Sequence, residues 1–121
     1  MRVEGFTLTE IMIVVALIGL LTTIAIPNWV HARTRSQTNA CINNLREVSA
    51  ATQQWATDNR SGPGTTVTPE EILPYLRCAV VCPAGGATAT FGTSYSLATV
   101  ADNPICRIAP TVHILPPDTT Q

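Results

Sequence analysis

From Ile11 to Ile26 the chain carries no charged side chain, and only Gly19, Thr22 and Thr23 interrupt an otherwise apolar run. Counted from Phe6 the stretch is roughly 21 residues, and a helix rising about 1.5 Å per residue then covers the hydrocarbon core of a bilayer, about 30 Å thick. A segment of this kind has few options other than to cross a membrane or to be sheathed by other apolar helices. Glu10 is the exception at its start. A lone carboxylate about one turn into such a helix costs several kcal/mol or takes up a proton, so Glu10 needs a partner. The rest of the 121 residues is polar, Thr-rich and Pro-rich, with room for one domain. The net charge is −1, and seven Arg with no Lys are scattered along the chain. No basic stripe is available to neutralise a phosphate backbone, so nucleic acid is not an expected partner.

The residues before the run do not form a secretory leader. Met1-Arg2-Val3-Glu4-Gly5 is too short, and a small-residue cleavage site should follow the apolar run rather than precede it. After the run stands Ile26-Pro27-Asn28, which is not an Ala-x-Ala pattern. Gly5-Phe6-Thr7-Leu8-Thr9-Glu10, continued by the uncharged run and closed by Pro27, resembles the type IV pilin and type II secretion pseudopilin family. The resemblance rests on a combination: a Gly before a Phe, a Glu four residues after that Phe, an uncharged stretch, and a Pro about twenty residues on. It implies that a prepilin peptidase cuts between Gly5 and Phe6 and that the new Phe6 amine is N-methylated. Cleavage would create a cation at the already positive end of a helix dipole, one turn from Glu10. Glu10 can meet that amine on its own helix or on a neighbouring subunit, and the resemblance favours the neighbour.

Gly19 and Pro27 suit close helix packing and a kink. Pro27 has no amide hydrogen, so the carbonyl of Thr23 loses its helical donor, and the Thr22 or Thr23 hydroxyl is expected to compensate. Similarity to pilins implies that the segment from Gly19 to Pro27 loses helicity in a packed filament. Charge does not orient the span, because Glu4 offsets Arg2 while Arg33 and Arg35 lie beyond its far end. The resemblance places residues 1–5 in the cytoplasm, anchors the chain by a single pass in the inner membrane, and puts the C-terminal part in the periplasm or an extracellular filament. Trp29, His31, Arg33 and Arg35 then suit the headgroup region.

Beyond Pro27, Cys41, Leu45, Val48 and Trp55 recur at helical spacing, while Asn39, Asn43, Asn44, Arg46, Glu47, Gln53 and Gln54 occupy the faces expected to meet solvent. Ser61-Gly62-Pro63-Gly64 should end this helix near Asn59. Thr68-Pro69-Glu70-Glu71 reads as a capped start of a short helix through Ile72, Leu73 and Leu76. Residues 87–91, 93–99, 105–109 and 112–115 read as short antiparallel strands, and the last residues, from Pro116, as a loose tail. The expected architecture is α+β: a leader over 1–5, a membrane and assembly helix over 6–27, its amphipathic continuation over 28–59, and a small loop-and-sheet region over 60–121. That region must pack on residues 28–59 to close a core, in the ladle shape that the family resemblance implies.

Four cysteines fit an exported fold, and three pairings are open. Cys82 with Cys106 is the expected disulfide, because the two bracket the central hairpin and Cys82-Pro83-Ala84-Gly85-Gly86 with Asn103-Pro104-Ile105-Cys106 resembles small pilin-like proteins. Cys41, on the apolar stripe, is expected as a buried hydrophobe, with Cys78 as its alternative partner. A zinc site from Cys78, Cys82, Cys106 and His113 is disfavoured by spacing, because only Cys78 and Cys82 approach a knuckle pair. Asp102 and Asp118 make a weak calcium cage. No metal, cofactor or catalytic group is expected, since no Cys carries an activating signature. The reading is a structural filament subunit, a pseudopilin of type II secretion first and a type IV or DNA-uptake pilin second. Its partners are itself and other pilin-like subunits, the prepilin peptidase, the inner-membrane assembly platform and the bilayer. A single-pass anchored binding protein that never polymerises is the reading from another class.

Overall fold

The computed structural model describes residues 5–116; Met1 to Glu4, Asp118 and the rest of the tail beyond Pro116 lie outside the described residues. The chain is α+β. A 51-residue helix α1 (Leu8–Asp58) is followed by α2 (Pro69–Ile72), a 3₁₀ turn over Leu73–Tyr75, another over Pro83–Gly85, α3 (Phe91–Ser94), and strands β1 (Tyr95–Ser96) and β2 (Ile105–Cys106). By internal contacts the chain divides between Arg35 and Ser36 into two units.

In the first unit α1 begins with a cap. The Thr7 hydroxyl accepts from the Glu10 amide at 3.3 Å, while the Thr7 amide donates to Glu10 Oε2 at 2.8 Å, the reciprocal pairing of a capping box. Pro27 lies inside the helix without ending it. The Thr22 hydroxyl bonds the carbonyls of Ile18 and Gly19, and that of Thr23 the carbonyl of Leu20. Both hydroxyls therefore bond backbone carbonyls locally, those one turn earlier in the helix. Every residue from Gly5 to Ser36 is exposed. The apolar run thus has no covering within its own unit, and Arg33 lies over the ring of Trp29 at 5.6 Å.

In the second unit the expected stripe is buried: Cys41, Leu45, Val48, Ala51, Thr52, Trp55 and Ala56 all face inward from α1. The helix stops by backbone geometry. Arg60 takes a positive φ of 52°, the Ser61 amide reaches back to the Ala56 carbonyl at 2.9 Å, and the Arg60 amide to that of Thr57 at 3.3 Å, a Schellman ending built without glycine. At α2 the Glu71 carboxylate accepts from the Thr68 amide and hydroxyl, both at 2.8 Å, as its sequence anticipated. These bonds hold the Glu71 carboxyl below its ordinary pKa.

The sheet is smaller than expected. Strands β1 and β2 pair antiparallel, Tyr95 with Cys106 and Ser96 with Ile105, and a lone bridge joins Thr66 to Thr99. Residues 87–90 and 112–115 are not strands, and 91–94 form α3 instead. The reason lies in Thr90, whose hydroxyl caps α3 at the Thr93 amide; a local capping bond prevails over β propensity in a Thr-rich stretch. Val67, Ile72, Val80, Cys82, Tyr95, Val100 and Cys106 close the core onto the α1 stripe.

Candidate functional site

Two groups of residues carry chemistry. Gly5 and Phe6 stand exposed ahead of α1, and Phe6 is 85% exposed. Glu10 is in the first turn, with its carboxylate turned back onto Thr7: the hydroxyl donates to Oε2 at 2.6 Å in addition to the amide bond. Beside the terminal amine that the resemblance implies, the Thr-x-x-Glu spacing gives Glu10 a partner within the chain, Thr7. Gly19 sits in the middle of the first unit with open space around its α-carbon, where a neighbouring helix can approach closely. Positive helix ends favour anions, and the capping bonds place the Glu10 carboxyl at that end of α1.

In one 18-residue window α1 reaches a mean hydropathy of 2.3, and this is a helix long and apolar enough to cross a membrane. A family model described as "Prokaryotic N-terminal methylation motif" matches residues 1–26. The segment that carries this motif is similar to the N-terminal part of type IV pilins and of a type II secretion core protein. The pilin-type match runs past the motif: 50 residues are 48% identical to the type IV major pilin protein PilA of Myxococcus xanthus, which is 41% of this chain and 23% of that one. Fifty-nine residues, 49% of this chain, are 39% identical to 38% of the type IV major fimbrial protein FimA of Dichelobacter nodosus. Sixty-four residues, 53% of this chain, are 28% identical to 41% of the type II secretion system core protein G of Pectobacterium carotovorum. The chain thus spans less than half the length of these pilin relatives, and no solved structure matches.

The other group is remote in sequence from the pilin motif. Cys41 from α1, Cys82 at the entry to the second 3₁₀ turn, Cys106 in β2 and His113 in the turn beyond it are all buried, and one ligand-type atom from each lies within 4.8 Å of the others. The expected Cys82–Cys106 disulfide is not made. Their sulfurs lie 3.7 Å apart and both thiols are free, whereas a disulfide needs about 2.05 Å. The Cys41–Cys78 alternative is not made either, because Cys41 is buried in this group while Cys78 is exposed and outside it. Of the set that spacing disfavours, the structure gathers Cys82, Cys106 and His113, with Cys41 in the place of Cys78. Residue spacing could not reveal this, since Cys41 arrives on a different element.

Polar neighbours surround the group. Cys41 Sγ lies 3.6 Å from Tyr95 Oη, which in turn accepts from Asn44 Nδ2 at 3.1 Å. Asn44, expected on the solvent face, also donates to the Val81 carbonyl at 2.8 Å and so ties α1 to the loop before Cys82. His113 Nδ1 lies 3.5 Å from Cys82 Sγ and 3.6 Å from Cys106 Sγ, and its Nε2 is 3.3 Å from the Thr38 hydroxyl. Burial pushes the Cys41 thiol up to about 12 and raises the Tyr95 hydroxyl as well, which keeps Tyr95 a donor. Burial also works to raise Cys106, but the Ala109 and Ile108 amides and the Cys41 and Cys82 thiols outweigh it and leave Cys106 below the ordinary thiol value.

Proposed function

We propose that this chain is a structural subunit of a type IV pilus-like filament, and more narrowly a type II secretion pseudopilin. The observation that carries the reading is a helical stretch over residues 11–26 that is apolar on every side and exposed throughout, headed by Gly5-Phe6 and Glu10 within a matched methylation motif. Such a surface, if left uncovered, is an association surface. In this reading residues 1–5 are a leader removed by the prepilin peptidase between Gly5 and Phe6, and Phe6 is then N-methylated. Residues 6–27 anchor the subunit singly in the inner membrane and later pack in the filament, drawn in through the inner-membrane assembly platform, while residues 28–121 lie outside. Glu10 exchanges Thr7 for the Phe6 amine of a neighbour, so that neither charge is stranded in an apolar bundle. Repetition of that heterologous contact gives an open helical array with itself or other pilin-like subunits. The role is structural, with no catalytic step assigned.

Mass spectrometry of the mature protein tests the processing: the first residue should be Phe6 with one added methyl group. Intact Met1 from cells with an active prepilin peptidase would overturn it. The narrower assignment is supported by the small C-terminal region and by the length of the match to protein G, 64 residues. Deleting the gene should halt export of folded exoproteins and spare surface pili. Loss of pili with export intact would assign a pilin instead.

A further inference from the structure

We propose that Cys41, Cys82, Cys106 and His113 bind one structural zinc ion, through three thiolates and the His113 Nδ1 atom. The spacing of the Cys82, Cys106 and His113 ligand atoms is that of one face of an occupied tetrahedron, and the Cys41 sulfur lies within 4.8 Å of each of them. Zinc–sulfur bonds of about 2.3 Å and a zinc–nitrogen bond of about 2.0–2.1 Å at tetrahedral angles put sulfurs about 3.8 Å apart and sulfur and nitrogen about 3.5 Å apart. The corresponding edges here are 3.7 Å for Cys82 to Cys106, 3.5 Å for Cys82 to His113 and 3.6 Å for Cys106 to His113. All four residues are buried, His113 at 5% and the three cysteines at 0% exposure. A closed Cys₃His set with no approach for water is a structural site rather than a catalytic one.

The surroundings supply donors to the sulfurs, as thiolates require. Tyr95 Oη, which accepts from Asn44, lies 3.6 Å from Cys41 Sγ, and once Cys41 is a thiolate only the Tyr95 hydroxyl can donate across that contact. The Thr38 hydroxyl meets His113 Nε2, so an Nε2–H proton placed there leaves the Nδ1 lone pair facing the thiols. Loading exchanges three thiol protons for one Zn²⁺, with no change of oxidation state, and leaves a net charge of −1 for the donors to stabilise. The site would also account for how a unit with a single pair of two-residue strands among its described residues holds together. The ligands join α1, the 3₁₀ turn, β2 and the turn after it.

The full chain, purified in detergent without chelators from zinc-supplemented cells, should contain one zinc per chain. X-ray absorption should show three sulfurs at about 2.3 Å and one nitrogen at about 2.0–2.1 Å. Cobalt exchanged into the site should give the intense visible bands of a tetrahedral thiolate complex. Cys106→Ser and His113→Ala should lose the metal while Cys78→Ser retains it. As ligand variants can unfold, Thr38→Val provides a gentler probe: it should keep one zinc with affinity weakened about tenfold. A folded, zinc-supplied wild-type chain that is metal-free, or one whose Cys82 and Cys106 are joined as a disulfide by peptide mapping, overturns the proposal. Loss of zinc from Cys78→Ser does so equally.

Discussion

The two parts of α1 belong to one continuous helix yet obey different rules. From Leu8 to Arg35 apolar side chains point in every direction and all are exposed, as Leu20 at 63% illustrates. From Ser36 to Asp58 apolar residues keep to one stripe, and Leu45 on that stripe is 0% exposed. The first part must be covered by lipid or other subunits, whereas the second is covered by the chain that follows it. A mutation in the first should therefore change association, and a mutation in the second should change folding.

The sharpest division should come from Glu10→Ala. Crosslinking in membranes should lose its ladder of multimers, while the near-ultraviolet signal of residues 36–116 stays as in the wild type; a persisting ladder would break the link between that carboxylate and assembly. The same substitution placed in each part gives the next contrast. Leu45→Ala should destabilise the second unit by about 2–5 kcal/mol, measured by urea unfolding at Trp55, because it opens a cavity in a closed core. Leu20→Ala should shift that transition by less than about 0.5 kcal/mol, because the side chain is exposed and is not a member of the buried core. Gly85→Ala should cost about 1–3 kcal/mol, since a β-carbon there collides with the Ile108 side chain and comes within 2.8 Å of Ala89.

The smallest effect belongs to pH. The Glu71 carboxyl is held below its ordinary value by its bonds to Thr68, so charged Glu71 favours the folded state. Its contribution is complete above the unfolded value of about 4.5 and is lost as pH falls through the lower folded value. Glu71→Gln should accordingly flatten the acid limb of the urea midpoint without altering it near neutrality. An unchanged acid limb would show that the cap contributes nothing to the second unit.

Much of this was readable along the chain, and particular residues show where reading stopped. The end of α1 within a residue of Asn59, the start of α2 at Thr68 and the buried face of Cys41, Leu45, Val48 and Trp55 all follow from signals a few residues long. The Thr7–Glu10 capping pair carries an equally local signal, a Thr three residues before a Glu. The strand expected over 87–91 failed because Thr90 caps a helix, and Thr residues serve either role until their neighbours choose. Asn44 was assigned to solvent because an amide on a polar face has no sequence mark distinguishing it from one that bonds Tyr95.

Length, absence of charge and the Gly5-Phe6 to Glu10 spacing determined by themselves that one end of this protein needs an apolar environment. Hydrophobic length and capping are local properties, complete within one or a few turns. The gathering of Cys41 with Cys82, Cys106 and His113 was decided only by tertiary structure. These residues lie on elements brought together by closure of the core, and the pairs they form, 31 positions apart for Cys82 and His113 and 54 for Cys41 and Tyr95, obey no periodicity that a sequence displays.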